Sequence, residues 1–211
     1  MTGSMTKIET YLDEIIPNPK CELNYTKDYE LLLATMLSAQ TTDKRVNMVT
    51  EKLFAKYLTL EDLAKASLSD VMKIIRPVGT YHRKSENVVS IAMRLTEERS
   101  GIVPNDREYL ESLPGVGRKT TNVVLSNLYD VPCIAVDTHV SRVSIRLGLA
   151  KEKDTPFEIE KKISKKFKKA ELCRRHHQLV LFGRYYCKAR NPLCDECKLK
   201  DICKYYKKKE Q

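Results

Sequence analysis

The chain has 211 residues, enough for one or two domains. Lys and Arg number 38 against 28 Asp and Glu, for a net charge of +10, and 42% of the residues are hydrophobic, which supports a core and excludes a disordered or collagen-like chain. No apolar run reaches the roughly 18 residues of a membrane span, and the opening Met1-Thr2-Gly3-Ser4-Met5 lacks a signal peptide's apolar stretch. A secreted or membrane-bound protein is therefore not expected, and the second methionine marks Met1–Ser4 as a candidate tag remnant.

The elements read as helices from one end to the other, with almost no alternating apolar–polar runs of the strand type. Leu31, Leu32, Met36 and Leu37 mark a buried helix, and Val46, Val49 and Leu53 a second. Val71, Ile74 and Ile75 give a short one ending near Pro77 and Gly79. Val88, Ile91, Ala92 and Leu95 give another, followed by Gly101. Asn105 is placed to cap the short helix with Tyr109 and Leu110. Val123, Val124 and Leu128 define a helix opening after Gly117. Thr138 is placed to cap the helix with Val140, Val143 and Leu147, closed by Gly148. Thr155 and Glu158 form a capping box with Pro156 at the first position, for a helix expected to run into Lys161–Lys169. Leu179, Val180 and Phe182 mark a last long helix before Gly183. The fold class is all-α.

Charge and cysteine are both uneven. Residues 1–150 hold 19 basic and 19 acidic side chains, and residues 151–211 hold 19 and 9, so the tail carries the whole +10. A basic region of this kind is either a footprint for a polyanion or a solvated lysine-rich face. Cys21, Cys133 and Cys173 are scattered, whereas Cys187, Cys194, Cys197 and Cys203 fall within 17 residues. An odd count of cysteines without a signal peptide speaks against a disulfide framework and for a metal centre. Zinc sites usually pair their cysteines. Here only Cys194 and Cys197 are close, which favours an iron–sulfur cubane over zinc.

Two further constellations carry chemistry. In Leu113-Pro114-Gly115-Val116-Gly117-Arg118-Lys119, Pro114 stops one helix, and Gly115 and Gly117 allow backbone angles that a side chain would forbid. The amides opening the next helix, with its dipole, can bind a phosphate without regard to sequence. The plain alternative is an ordinary helix–helix turn. Lys119 falls in the first turn of that helix, where the dipole and Arg118 disfavour a further positive charge, and a neutral amine forms Schiff bases. Asp137, in Val136-Asp137-Thr138-His139, can remain ionised at a helix start and stabilise a developing cation. Taken alone, Lys119 reads as a phosphate contact and Asp137 as a helix cap.

These features, with Leu37-Ser38-Ala39-Gln40-Thr41-Thr42-Asp43 and the four cysteines in this order, resemble the endonuclease III family of DNA glycosylases in the helix-hairpin-helix superfamily, from about Leu23 to Cys203. The resemblance implies two helical domains flanking a DNA-binding cleft: residues 23–132 with the hairpin, and residues 1–22 with 133–211 holding a four-iron, four-sulfur cluster on the four cysteines. It implies base excision repair of oxidised pyrimidines in duplex DNA. The damaged nucleotide is flipped, Lys119 attacks the anomeric carbon, Asp137 stabilises the cationic sugar, and β-elimination at the abasic site cuts the strand. A lysine at position 119 separates the chain from the similar adenine-mismatch glycosylases. It ends eight residues after Cys203, so their extra C-terminal domain is not expected.

Gln40 matches the family residue that fills the gap left by the flipped nucleotide. Thr80 stands where a bulky apolar wedge is common, so Tyr81 or His82 is a candidate to take over. Leu113, Gly115, Val116, Gly117, Arg118, Gln40, Thr80, Tyr81 and His139 are the candidate DNA contacts, with Arg142 and Arg184 as further phosphate contacts. Glu111, just before the hairpin, reads as a solvated helix residue with a base contact in the cleft as the alternative, and His176 and His177 as packing or phosphate-facing residues. A monomer is expected, in the cytoplasm or nucleoid (the nucleus in a eukaryote). The competing readings are a non-catalytic DNA-binding module and a zinc-stabilised structural protein.

Overall fold

A computed structural model describes residues 2–209, and every regular element among them is helical. Of the candidate tag remnant, Met1 lies outside the described residues, and the backbone that follows it is already helical. The chain divides into two compact units, residues 21–129 and residues 1–20 with 130–211.

The unit of residues 21–129 is built around α2 (Asp28–Leu37), in which nine residues from Tyr29 to Leu37 are buried. A helix apolar on all sides belongs in the middle of a core. It packs on α3 (Asp43–Lys56), α6 (Tyr81–Arg99) and α8 (Arg118–Tyr129), while α4 (Leu60–Ala64) and α5 (Leu68–Ile75) lie against α6. The short α7 (Arg107–Ser112) leads into the glycine turn and then α8. Its cap is Asp106, one residue past the expected Asn105, because the Asp106 carboxylate accepts from the Tyr109 amide at 3.0 Å.

The second unit opens with α1 (Thr2–Ile15), which carried no recognised signal in the sequence and buries Ile8, Tyr11 and Leu12. It joins α9 (Thr138–Arg146), α10 (Pro156–Ser164), α11 (Leu172–Leu181) and α12 (Lys204–Lys209) around Ile134, Val140, Val143, Ile163, Leu179 and Phe182. Three expectations are corrected here. The cap of α9 is Asp137, whose Oδ1 accepts from the Val140 amide at 2.7 Å, and not Thr138. Helix α10 stops at Ser164, because the lysines after it have no apolar face to bury except Phe167. The last long helix does not end before Gly183: α11 continues through it as a π-turn over Phe182–Tyr186. Gly183 is required there because a Cβ would sit 2.8 Å from His139 Cβ, so glycine lets the turn lie directly on α9.

Candidate nucleic-acid interface and metal centre

Leu113 to Val116 form a tight turn. Pro114 takes its second position and Gly115 its third with φ +76°, and the Val116 amide donates to the Leu113 carbonyl at 3.1 Å. That is the sequence and geometry of a type II turn, which needs a left-handed third residue. Gly117 differs. Its φ is not in the left-handed region, and a Cβ there would meet nothing within 4 Å, so the fold itself does not demand a glycine at 117. Its exposed backbone can be approached closely from outside, in line with amides that face a phosphate. The Leu113 and Val116 side chains are 2% and 4% exposed. Any contact they make with DNA is through the main chain, since the side chains anchor the hairpin to the core. Arg118 and Lys119 are exposed in the first turn of α8.

The candidate gap-filling loops belong to the same unit. Gln40 and Thr80 are both exposed, and both hold left-handed backbone with φ 56°. Thr80 begins α6, and the Tyr81 and His82 rings follow with centroids 4.1 Å apart. Side-chain-bearing residues adopt this conformation rarely, and it concentrates at functional positions.

Asp137 is half-buried at the start of α9 in the other unit. The amide bond from Val140 orients one of its oxygens. His139 is held by Arg142, whose Nη2 lies 3.2 Å from its Nδ1. Arg142 itself is not placed as a phosphate contact. Its Nε donates to the Cys187 carbonyl at 3.0 Å and its Nη2 to the Gly183 carbonyl at 2.6 Å, so it clamps the start of the cysteine loop to α9. Burial lowers its pKa against the opposing pull of Cys187. One turn on, Arg146 donates to the Lys188 carbonyl at 2.7 Å, approaches Cys187 Sγ at 3.4 Å and stacks on Tyr205 at 4.0 Å. The signal for both arginines was their i, i+4 spacing on the helix after Asp137. Glu111 pairs with Arg107 at 2.9 Å. His176 is buried against His177, with ring centroids 4.9 Å apart, which is packing and not a phosphate-facing surface.

Cys187, Cys194, Cys197 and Cys203 line one pocket together with Leu147, Phe182, Tyr186, Pro192 and Leu193. All four are free thiols. Burial pushes the Cys194 and Cys197 thiols up, and the neighbouring cysteines push further in the same direction. No three His, Cys, Asp or Glu side chains among the described residues are set around a single metal ion. The four cysteines share one pocket with apolar neighbours, and four thiolates are the ligand set of an iron–sulfur cluster. The π-turn carries Cys187 into the ring, its amide donating to the Phe182 carbonyl at 2.8 Å, five residues back.

The fold and site together define a class. Residues 33–169 match the model of the HhH-GPD superfamily base excision DNA repair protein, and residues 187–203 match the iron–sulfur binding domain of endonuclease III. Endonuclease III of Bacillus subtilis (strain 168) is 44% identical over 99% of this chain and 96% of its own length. That of Escherichia coli (strain K12) is 42% identical over 96% and 95%. A solved trapped endonuclease III–DNA covalent intermediate is 44% identical, with a TM-score of 0.92 over 98% of this chain and 99% of that one. A thermostable thymine-DNA glycosylase shares the fold at 22% identity and a TM-score of 0.85. The chain belongs to the endonuclease III family. It is a DNA-binding base excision repair glycosylase and abasic-site lyase with a four-iron, four-sulfur cluster.

Proposed function

We propose that this enzyme acts on oxidised pyrimidines in duplex DNA, with Lys119 as nucleophile and Asp137 as its electrostatic partner. The observation that carries the reading is the exposed Lys119 in the first turn of α8, two residues after the exposed Gly117. The lesion class is the one that the resemblance to the endonuclease III family implies. In this mechanism the neutral amine adds to C1′ of the flipped nucleotide, the glycosidic bond breaks, and its electron pair leaves with the base. The Asp137 carboxylate stabilises the cationic sugar and takes part in deprotonating the lysine. Ring opening gives the iminium, which acidifies the 2′ carbon. Loss of that proton expels the 3′ phosphate, and the strand is cut. Amides at the head of α8 hold the backbone phosphate, while Gln40 and Thr80, with Tyr81 beside them, fill the vacated stack.

Cys187, Cys194, Cys197 and Cys203 are the cluster's ligands in this reading. When bound, the cluster supplies positive charge and a rigid centre to the loop, and Arg142 and Arg146 tie that loop to the helix that presents Asp137. We place the enzyme as a monomer in the cytoplasm or nucleoid. The test is a duplex with one thymine glycol, incubated with borohydride. Wild type gives a covalent adduct, Lys119→Gln gives none, and Asp137→Asn loses about 10²–10⁴-fold in excision rate. An adduct that persists in Lys119→Gln excludes Lys119 as the nucleophile.

A further inference from the structure

Lys84 is a buried charged side chain, only 5% exposed. It sits on α6, and its ammonium donates to the Leu37 carbonyl at 2.8 Å and the Ala39 carbonyl at 2.7 Å. Leu37 ends α2, where carbonyls lack helical donors and the dipole favours a cation. Ala39 immediately precedes Gln40. The Lys84 amide in turn donates to the Thr80 carbonyl at 3.1 Å. Lys84 thus sits one turn into the helix that Thr80 caps, and its side chain reaches across to the carbonyl next to Gln40.

A buried ammonium is a poor choice if packing alone is needed. Burial holds its pKa below the usual lysine range, and an unbranched apolar chain of the same length would fill the space without the desolvation cost. What the ammonium adds is direction: two carbonyls must both turn toward it. A left-handed residue with a side chain persists only where its surroundings over-determine it, and Lys84 provides that constraint.

We infer that Lys84 is a positioning residue for base displacement, locking the Ser38–Thr42 loop to the first turn of α6 so that Gln40 and Thr80 enter the DNA stack as one fixed pair. This rests on the reading of Gln40 and Thr80 as gap-filling residues. Lys84 touches no reacting atom, and its role is to preorganise the wedge.

Two substrates separate this role from a merely structural one. In a thymine glycol duplex a nucleotide must be displaced and its place filled. In a single strand with an abasic site there is no opposing strand to hold open. Lys84→Met is expected to slow duplex excision by about ten- to a hundredfold, with a clearly smaller loss on the single strand. It also weakens the fluorescence change of 2-aminopurine placed opposite the lesion. Combined with Gln40→Ala it adds little to the Gln40→Ala loss, and Lys84→Arg, which retains donors, recovers part of the duplex rate.

Equal losses on both substrates, or additive losses in the double variant, would overturn the inference. A 2-aminopurine signal moved by Gln40→Ala but not by Lys84→Met overturns the inference alone. A signal unmoved by Gln40→Ala overturns the gap-filling reading and the inference with it. Should Lys84→Met not fold, Lys84→Gln, with one amide group left to donate, is measured by the same ratio.

Discussion

Asp13 on α1 gathers three donors: Arg175 at 2.7 Å, Arg174 at 2.9 Å and the Gln178 amide at 2.9 Å. Burial works against its charge, but these hydrogen bonds outweigh it and hold the carboxyl down to about 2. Its pKa is lower folded than unfolded, so the stabilisation is complete above the unfolded value of 3.8 and fades as pH falls toward 2. Asp13→Asn is therefore expected to cost about 1–2 kcal/mol at neutral pH. In a chain of this size that lowers the melting temperature by about 2–8 °C. The gap between wild type and variant should narrow on acidification through that window. A gap that stays constant down to pH 2 excludes Asp13 as its source. The bond matters beyond its own energy, because Arg175 is 4% exposed and also binds Glu171 at 2.8 Å, so the pair fixes the N-terminal helix to α11.

At the scale of elements, the hairpin divides its two glycines between folding and function. Gly115 holds a left-handed φ, and a Cβ there would lie 2.4 Å from Asn87 Nδ2. Gly115→Ala is expected to destabilise by about 1–2 kcal/mol, chiefly through backbone strain. Gly117→Ala meets open space, so its stability should stay within about 0.5 kcal/mol of wild type. If the amides at 117–119 contact phosphate, its methyl group nevertheless weakens DNA binding severalfold. Thermal melting and a DNA titration of the two variants read these outcomes separately. Two variants that lose stability equally would contradict the division. The element boundaries show the same physics. Asp106 and Asp137 take the cap positions because each carboxylate reaches an amide three residues on, and a neighbouring Asn105 or Thr138 is one residue out of register for it.

At the scale of the molecule, each unit has its own buried core, with α2 at the centre of one and α9 against α10, α11, the π-turn and α12 in the other. The cysteine loop belongs to the second. Removing the cluster with an oxidant and a chelator is expected to collapse that loop and speed amide exchange in α9, the π-turn and α12. Protection in α2, α3 and α6 should change far less. Equal loss of protection in both units would mean that they unfold as one cooperative body.

Much of this protein was legible in its residues. Helical periodicity, the Pro-Gly turn, the Lys119 and Asp137 motifs and the cysteine spacing are local patterns, and local patterns survive in a linear chain. The all-helical fold followed because apolar residues recurred at helical spacing and almost nowhere alternated. Tertiary structure decided what depends on distant neighbours. Arg142 became a clamp instead of a phosphate contact because the Cys187 and Gly183 carbonyls arrive beside it from over forty residues away. α11 ran on through Gly183 because glycine there admits α9 at close range. Lys84, which no local pattern in the sequence singles out, is buried because two carbonyls at and just past the end of α2 accept from its ammonium. Spacing along a chain reports which groups can share a turn or a helix face. Only packing brings a cation to an acceptor 45 residues off and makes its burial tolerable.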